Sequence, residues 1–169
     1  MKYPLDSKYN LVYLSIGSNL GVSIDNIKTS VGLLKDYANI KIIKKSPVYV
    51  TEPLYYKNQN MFLNIVIEIS TNYKLYDFFN ICKNIERKMG RNFSANKYHS
   101  RIIDLDILTY GDIINNDIKL TIPHPKLYER KFVLKPWSDI APNFIIPNMN
   151  KNIAILLKVV KDNSKISKL

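Results

Sequence analysis

Two aspartates in one predicted strand are the residues of this 169-residue chain best placed to do chemistry. They lie in the segment Arg101-Ile102-Ile103-Asp104-Leu105-Asp106-Ile107-Leu108. Because side chains alternate along a strand, Asp104 and Asp106 project from one face, roughly 7 Å apart. Their apolar neighbours then face the core. Two adjacent carboxylates repel each other, so lysine, arginine or a divalent metal ion must neutralise them.

Magnesium fits this pair, because it binds one or two carboxylates together with substrate phosphates. Two metal ions bridged by a carboxylate suit phosphoryl chemistry, whereas salt bridges to lysine or arginine are the structural alternative. Basic side chains and two histidines surround the pair in the sequence: Arg91, Lys97, His99 and Arg101 precede it, and His124, Lys126, Arg130 and Lys131 follow. Guanidinium groups match phosphate oxygens, so a polyphosphate ligand is favoured over a merely solvated basic loop.

A second set of residues suits a flat heterocycle. Asn64 lies on the polar face of a predicted strand together with Phe62, and Ser18, Asn19 and Thr51 lie at strand ends. An amide and aromatic rings can hold a hydrogen-bonding ring system, and stacking adds about 1 kcal/mol beyond area burial. The candidate rings are Phe62, Tyr98 and Phe132. Each ring taken alone is also a candidate for the core.

Hydrophobic periodicity predicts the elements that position these residues. Strands are predicted over 9–17, 40–50 with a break at Pro47, 62–71 and 102–110. Helices are predicted from the candidate N-cap Ser23 to about 38–39 and over 75–89, with Gly90 as the stop. Residues 63, 65, 67 and 69 form the core face of the third strand. A hairpin over 113–122 turning at 115–117, a helix over 130–140, a short helix over 152–160 and a solvated basic tail complete the prediction.

The resulting order, β-α-β-β-α-β, predicts an α+β fold. It is the ferredoxin-like antiparallel sheet with two helices on one face, here carrying a helical C-terminal extension. The length predicts one domain over residues 1–169.

Composition sets the broad class of partners. The chain carries 25 Lys+Arg against 14 Asp+Glu, a net charge of +11, which favours anionic ligands such as nucleotide phosphates, nucleic acid or headgroups. A general bias toward lysine is the alternative. The single Cys82 excludes an internal disulfide and a thiolate zinc cage, and we expect it to be buried. We expect a cytoplasmic protein without a signal peptide or membrane span.

Several segments, in register over about residues 11–147, resemble the 6-hydroxymethyl-7,8-dihydropterin pyrophosphokinase family of folate biosynthesis. They are Ile16-Gly17-Ser18-Asn19-Leu20, Tyr49-Val50-Thr51-Glu52-Pro53-Leu54, Phe62-Leu63-Asn64, Ile85-Glu86-Arg87-Lys88-Met89-Gly90-Arg91, the segment 101–108, Ile122-Pro123-His124-Pro125 and Arg130-Lys131-Phe132-Val133-Leu134-Lys135-Pro136-Trp137. The resemblance implies transfer of a pyrophosphoryl group from ATP to the pterin hydroxymethyl, leaving AMP.

The resemblance also implies roles for individual residues. Asp104 and Asp106 would hold two Mg²⁺ ions, and Arg91 and Arg101 would act with them on the phosphates. The other ATP contacts would be Ile107, Thr121, His124 and Arg130. The pterin contacts would be Thr51, Glu52, Leu54, Phe62, Asn64 and Phe132. Residues 52–60 and 91–101 would form mobile lids.

The chain departs from the family pattern ahead of the aspartates. It has Tyr98-His99-Ser100-Arg101 where the family has an aromatic residue followed by Gly-Pro-Arg, and Phe93 where a second loop arginine is common. Lys97 is a candidate to supply the missing phosphate contact. Pro125 follows His124 where an aromatic residue is common in some members.

Two other functions compete with the pyrophosphokinase: a basic RNA-binding module, which requires exposed aromatics on the central strands, and a structural subunit without activity. We expect small-molecule substrates, no nucleic acid or membrane partner, and a monomer.

Overall fold

A computed structural model of the chain describes residues 9–54, 56–93 and 99–169. The strands are β1 (Asn10–Ser18), β2 (Ile40–Lys45), β3 (Tyr49–Thr51), β4 (Phe62–Thr71), β5 (Asp104–Tyr110), β6 (Asn115–Asp117), β7 (Leu120–Ile122) and β8 (Ile166–Lys168). The helices are α1 (Ser23–Lys35), α2 (Leu75–Lys88), α3 (Lys131–Ile140) and α4 (Ile153–Val159). The predicted βαββαβ order is confirmed.

The main sheet is antiparallel throughout, with the strand order β5-β1-β4-β3-β8. β2 pairs with β4 as well, so β2 and β3 are two parts of one strand position, separated at residues 46–48. Pro47 lies in this break, because proline donates no backbone hydrogen bond to a sheet. The remaining strands, β6 and β7, form a separate hairpin.

One face of the sheet packs on α1 and α2. The alternate apolar residues of β1, β4 and β5 are buried against these helices, including Leu14, Ile67 and Leu105. Cys82 on α2 belongs to this core with no exposed surface, as predicted, and burial raises the pKa of its thiol. The apolar face of each of these two helices therefore packs on the sheet, as the spacing of its apolar residues predicts.

The opposite face of the sheet is also covered, and here the prediction of a polar face on β4 is wrong. Tyr13, Val66 and Leu108 pack beneath α3 and α4, around the fully buried Trp137. Glu68 is 6% exposed and accepts a hydrogen bond from the Tyr13 hydroxyl at 2.8 Å. Helices α3 and α4 therefore form a third layer, in addition to the predicted layers of the sheet and of α1 with α2.

Three local predictions are corrected by the structure. Ser23 is the first helical residue of α1 rather than its cap, Val22 holds the cap position, and the helix ends at Lys35 rather than near 38–39. The hairpin turns at Ile118-Lys119, because Asn115–Asp117 forms its first strand. The tail after residue 158 is not merely solvated, since β8 pairs with β3.

Among the described residues, none of the helices is long and apolar enough to cross a bilayer.

Gly17 in β1 provides a test of how tightly this sheet is built. A Cβ at Gly17 would lie 2.6 Å from Asn64 Oδ1, so Asn64 would have to move. We expect Gly17→Ala to lower the free energy of unfolding by about 1–3 kcal/mol, the usual cost of overpacking, measured by urea denaturation. Gly32→Ala is the matched control: no atom lies within 4 Å of its added Cβ, and we expect a gain of about 0.5–1 kcal/mol in the helix. Equal stability of Gly17→Ala and wild type would contradict the close approach.

Candidate active site

A cleft opens on the face of the sheet that carries α3, beyond the part that this helix covers. Its floor is formed by Ser15 and Gly17 of β1, Asn64 of β4, and Asp104 and Asp106 of β5. The register places Ser15 beside Asp106, and Gly17 between Asn64 and Asp104. Because β1 contributes only small residues here, the floor stays open. The cleft volume is about 410 Å³, within the usual range for small-molecule sites.

The fourteen residues that the resemblance assigns to the substrates all line this one cleft, whereas the other candidates Ser18, Asn19, His99 and Lys131 are not part of its described lining. The fourteen are Thr51, Glu52, Leu54, Phe62, Asn64, Arg91, Arg101, Asp104, Asp106, Ile107, Thr121, His124, Arg130 and Phe132. They come from distant parts of the chain that only the sheet and the ends of α2 and α3 bring together. Lys97 and Tyr98 lie outside the described residues.

Asp104 is held by two arginines. Its Oδ1 contacts Arg91 Nη1, and its Oδ2 lies 2.6 Å from Arg101 Nη1. Burial raises the pKa of Asp104, but Arg101 and Arg91 outweigh that effect and hold the pKa below its usual value. Asp104 is therefore ionised at neutral pH. The salt bridges to arginine that the sequence left open as an alternative are therefore formed at Asp104.

Asp106 is held more loosely than Asp104. Its Oδ2 lies 3.6 Å from Arg130 Nη1 and 3.9 Å from His124 Nε2. The Lys126 backbone N–H donates to His124 Nδ1 at 3.1 Å, so the proton of a neutral imidazole is on Nε2, facing Asp106. Burial lowers the pKa of His124, although Asp106 opposes the shift. Asp106 thus faces the cleft, and its described cationic partners come no closer than 3.6 Å.

Glu86 is a site-organising residue that the sequence analysis did not identify. It is fully buried. Oε1 contacts Arg91 Nη1 and accepts the Leu105 backbone N–H at 2.7 Å, while Oε2 lies 2.8 Å from Lys83 Nζ. Burial raises its pKa, and Lys83 and Arg91 oppose that shift. Glu86 therefore joins the end of α2 to the start of β5 and places Arg91 beside Asp104.

Asn19, which follows β1, organises the loops on the other side of the cleft. Its Oδ1 accepts the Arg101 backbone N–H at 2.8 Å. Its Nδ2 lies 3.0 Å from Gln59 Oε1, 3.2 Å from the Asn60 carbonyl and 3.3 Å from Ser100 Oγ. The two predicted lid segments also meet where His99 stacks on Tyr56, with ring centroids 5.6 Å apart. Asn19 thus anchors both segments to the sheet.

The other end of the cleft combines an oriented amide with aromatic rings. The Asn64 amide donates to Thr51 Oγ1 at 2.7 Å, and both side chains are buried. The Phe62 ring lies 5.9 Å from the Arg101 guanidinium, and the Phe132 ring lies 5.6 Å from that of Arg130. Each of these two rings at the aromatic end of the cleft therefore lies beside an arginine of its charged end.

The described lining is basic overall, with six lysines and arginines against three carboxylates. Lys126, expected among the basic residues around the aspartates, lines the cleft. Lys83 and Lys119 were missed as lining residues because their positions in the sequence resemble those of ordinary solvent-facing lysines. Ser15, Gln59 and Phe79 were missed because nothing local distinguishes them. Phe93, at the position of the expected second loop arginine, is about half exposed and lies 5.2 Å from the Arg91 guanidinium. It supplies no charge.

The buried Glu86 predicts a specific pH dependence of stability. Its pKa in the folded chain is raised above the ordinary value of 4.5, so folding favours its protonated form. The stability that this preference contributes is present below pH 4.5 and is lost as the pH rises through the raised pKa.

We therefore expect Glu86→Gln to gain stability relative to wild type as the pH rises above 4.5, measured by urea unfolding at a series of pH values. The exposed Glu129→Gln removes the same charge from the surface and controls for the change in net charge. A constant difference between Glu86→Gln and wild type across this range would contradict the burial effect.

Comparisons with known proteins agree with this geometry. The family model described as 7,8-dihydro-6-hydroxymethylpterin-pyrophosphokinase (HPPK) matches residues 13–142. The Folic acid synthesis protein fol1 of Schizosaccharomyces pombe is 40% identical over 141 residues, covering 83% of this chain and 19% of that protein. The chain spans about a fifth of the length of such fungal relatives.

Bacterial relatives match over most of their length. The 2-amino-4-hydroxy-6-hydroxymethyldihydropteridine pyrophosphokinase of Bacillus subtilis is 34% identical, covering 78% of each chain. That of Haemophilus influenzae is 30% identical, covering 91% of this chain and 95% of its own. A crystal structure of wild-type Plasmodium falciparum HPPK-DHPS with pteroate has the same fold, with a TM-score of 0.71 at 18% identity, covering 89% of this chain and 42% of that one. The chain belongs to the 7,8-dihydro-6-hydroxymethylpterin-pyrophosphokinase family.

Proposed function

We propose that this chain transfers the pyrophosphoryl group of ATP to 6-hydroxymethyl-7,8-dihydropterin, giving the pterin diphosphate and AMP in folate biosynthesis. The observation that carries the proposal is the pair Asp104 and Asp106 on one strand face, surrounded by Arg91, Arg101 and Arg130 in a cleft with an aromatic end. The names of the bacterial relatives that match nearly end to end support it.

The donor set fits magnesium. Asp104 and Asp106 offer carboxylate oxygens on one face, and among the described residues no three His, Cys, Asp or Glu side chains form a metal cluster. Magnesium completes its coordination with phosphates and water, so two carboxylates suffice. We propose two ions at this pair. Bound there, magnesium would neutralise the charge of the ATP phosphates and lower the pKa of the attacking hydroxyl.

The residues of the cleft then perform binding, charge neutralisation and proton transfer. The hydroxymethyl oxygen attacks the β-phosphorus, the bond from that phosphorus to the oxygen bridging it to the α-phosphorus breaks, and AMP leaves. Asp106 is the acceptor for the hydroxyl proton, because the described cationic partners of its carboxylate come no closer than 3.6 Å. Arg91 and Arg101 exchange Asp104 for phosphate oxygens as the polyphosphate binds. Holding both substrates in line supplies most of the acceleration in such reactions.

The nucleotide and the pterin occupy opposite ends of the cleft in this proposal. Ile107 and Thr121 line the end beside the β6–β7 hairpin and would take the adenine. At the other end, Thr51 fixes the Asn64 amide, whose remaining hydrogen-bonding groups would contact the edge of the pterin. Phe132 would stack on the pterin, with Phe62 nearby, while Glu52 and Leu54 complete this end from the loop.

The structure gives no support to the competing RNA-binding module. That function requires aromatic side chains exposed on the central strands. Of the open positions on β1, β4 and β5, only Phe62 is aromatic, the others being Ser15, Gly17, Asn64, Asp104 and Asp106, and α3 and α4 cover the rest of that face.

The direct test is to incubate the protein with ATP, Mg²⁺ and 6-hydroxymethyl-7,8-dihydropterin and to identify the nucleotide product by chromatography. We expect AMP. Formation of ADP would show attack at the γ-phosphorus, and no turnover would reject the proposed reaction.

Asp106→Asn is a sharper variant than Asp104→Asn, because Asp104 also forms close ion pairs with the partly buried Arg91 and Arg101, whereas the described cationic partners of Asp106 lie farther from it. We expect Asp106→Asn to fold normally and to lose activity by about 10²–10³-fold, the scale of one lost electrostatic contact to the reacting groups. Asp112→Asn, an exposed aspartate in the turn after β5, is the matched control and should keep full activity. Full activity of Asp106→Asn would exclude its role as ligand and proton acceptor.

Phe132→Ala tests the pterin end. Loss of one stacked ring corresponds to about 1 kcal/mol beyond area burial, so we expect the KM for the pterin to rise at least about fivefold. The KM for ATP should change little. Equal changes in both constants, measured by initial rates, would move Phe132 out of the pterin site.

A further inference from the structure

The C-terminal segment 161–169 lies beyond residues 13–142, which match the family model, yet it contacts both walls of the pterin end of the cleft. β8 completes the sheet beside β3, with Ile166 opposite Thr51 and Lys168 opposite Tyr49. Without β8, β3 would be a three-residue edge strand. Short edge strands hold their ends poorly because half of their backbone groups are unpaired.

The pairing continues past β3 into the loop that carries the site. The Glu52 backbone N–H donates to the Lys165 carbonyl at 3.2 Å, and the Lys165 backbone N–H donates to Glu52 Oε2 at 3.2 Å. At the other end, the Leu169 N–H donates to the Val48 carbonyl at 2.9 Å. The tail therefore fixes both the backbone and the side chain of Glu52, immediately after the Thr51 that orients Asn64.

Asp162 fixes the opposite wall. Its Oδ2 accepts the backbone N–H of Lys131, the first residue of α3, at 2.9 Å, and its Oδ1 accepts the Ser164 N–H at 2.9 Å. The residue at the cap position, Arg130, makes no side-chain capping bond, so the tail supplies the acceptor that a helix start requires. Arg130 and Phe132, on either side of Lys131, both line the cleft.

We propose that segment 161–169 is a positioning element for the pterin end of the site, in which Asp162 holds the start of α3 and β8 with Lys165 holds Thr51 and Glu52. One segment thereby sets the distance between Phe132 at the start of α3 and the loop of Thr51 and Glu52. A flat ring must fit into the gap between these two walls. The identity of the ring rests on the proposed function. The coupling of the two walls does not.

The test compares Asp162→Ala with the exposed Asn163→Ala as control, by initial rates at varied pterin and varied ATP. We expect the KM for the pterin to rise about fivefold in Asp162→Ala, the equilibrium effect of losing about one helix cap. The KM for ATP should rise less than the KM for the pterin, because, of the substrate contacts expected at the start of α3, only Arg130 belongs to ATP, and kcat should change by less than about twofold. Asp162→Asn keeps one acceptor oxygen and should fall between wild type and alanine.

A purely structural role would instead lower kcat with both KM values unchanged, because only the folded fraction would fall, and this outcome would overturn the proposal. Equal pterin KM values in wild type and Asp162→Ala would overturn it as well. Deletion of residues 161–169 is the second variant and should raise the pterin KM further.

Amide hydrogen exchange supplies a readout that needs no substrate. Exchange at Lys131 should accelerate in Asp162→Ala, and exchange at both Lys131 and Glu52 should accelerate in the truncated chain. Unchanged exchange at these amides in both variants would overturn the coupling. If the wild-type protein forms no AMP, the proposed function fails. If the wild type is active but Asp162→Ala and the truncated chain keep its pterin KM and its amide exchange rates, only the positioning role is rejected.

Discussion

The cleft depends on one buried carboxylate, that of Glu86. An ionised side chain removed from water is strongly destabilising unless cations and hydrogen-bond donors surround it, and Glu86 meets Lys83, Arg91 and the Leu105 N–H. Gly90, with its positive φ of 87°, turns the chain so that the Arg91 N–H reaches back to the Glu86 carbonyl at 3.0 Å. The backbone carbonyl of Glu86 thus fixes the main chain at Arg91, and the Glu86 carboxylate fixes the position of the Arg91 guanidinium.

One face of the sheet forms the main hydrophobic core, and part of the other face forms the floor of the cleft. The face under α1 and α2 is apolar along β1, β4 and β5. The other face is mostly apolar where α3 and α4 cover it, and the uncovered part bears Phe62 together with Ser15, Gly17, Asn64 and the two aspartates. The alternation of a strand allows one sequence segment to serve both faces, so Asp104 and Asp106 project into the cleft while Leu105 and Ile107 anchor the same strand in the core.

Alternation and helical spacing were sufficient to predict the strands of the βαββαβ order and the two large helices, because these patterns are local, and alternation also placed Asp104 and Asp106 on one face. Most of the other substrate contacts were expected only from the resemblance to the family. Glu86 was not predicted, because acidic residues are almost never fully buried unless paired and its partners are not adjacent in sequence. The Asn115–Asp117 run is typical of a turn, yet it forms a strand because pairing with β7 places the turn two residues later. The tail offers no clear alternation, and its strand exists because β3 leaves an edge to be paired, a long-range condition that no window of sequence contains.

The chain has a single cysteine, and that thiol sits in the core between α2 and the sheet with a raised pKa. Thiolates, not thiols, react with alkylating reagents, so the burial and raised pKa of Cys82 predict little reaction of the folded chain with maleimide dyes. A cysteine introduced at Ile118, which is 99% exposed at the tip of the β6–β7 hairpin and borders the cleft, would carry a fluorophore at one defined place. Because the one native cysteine is buried, a dye would label the introduced cysteine selectively.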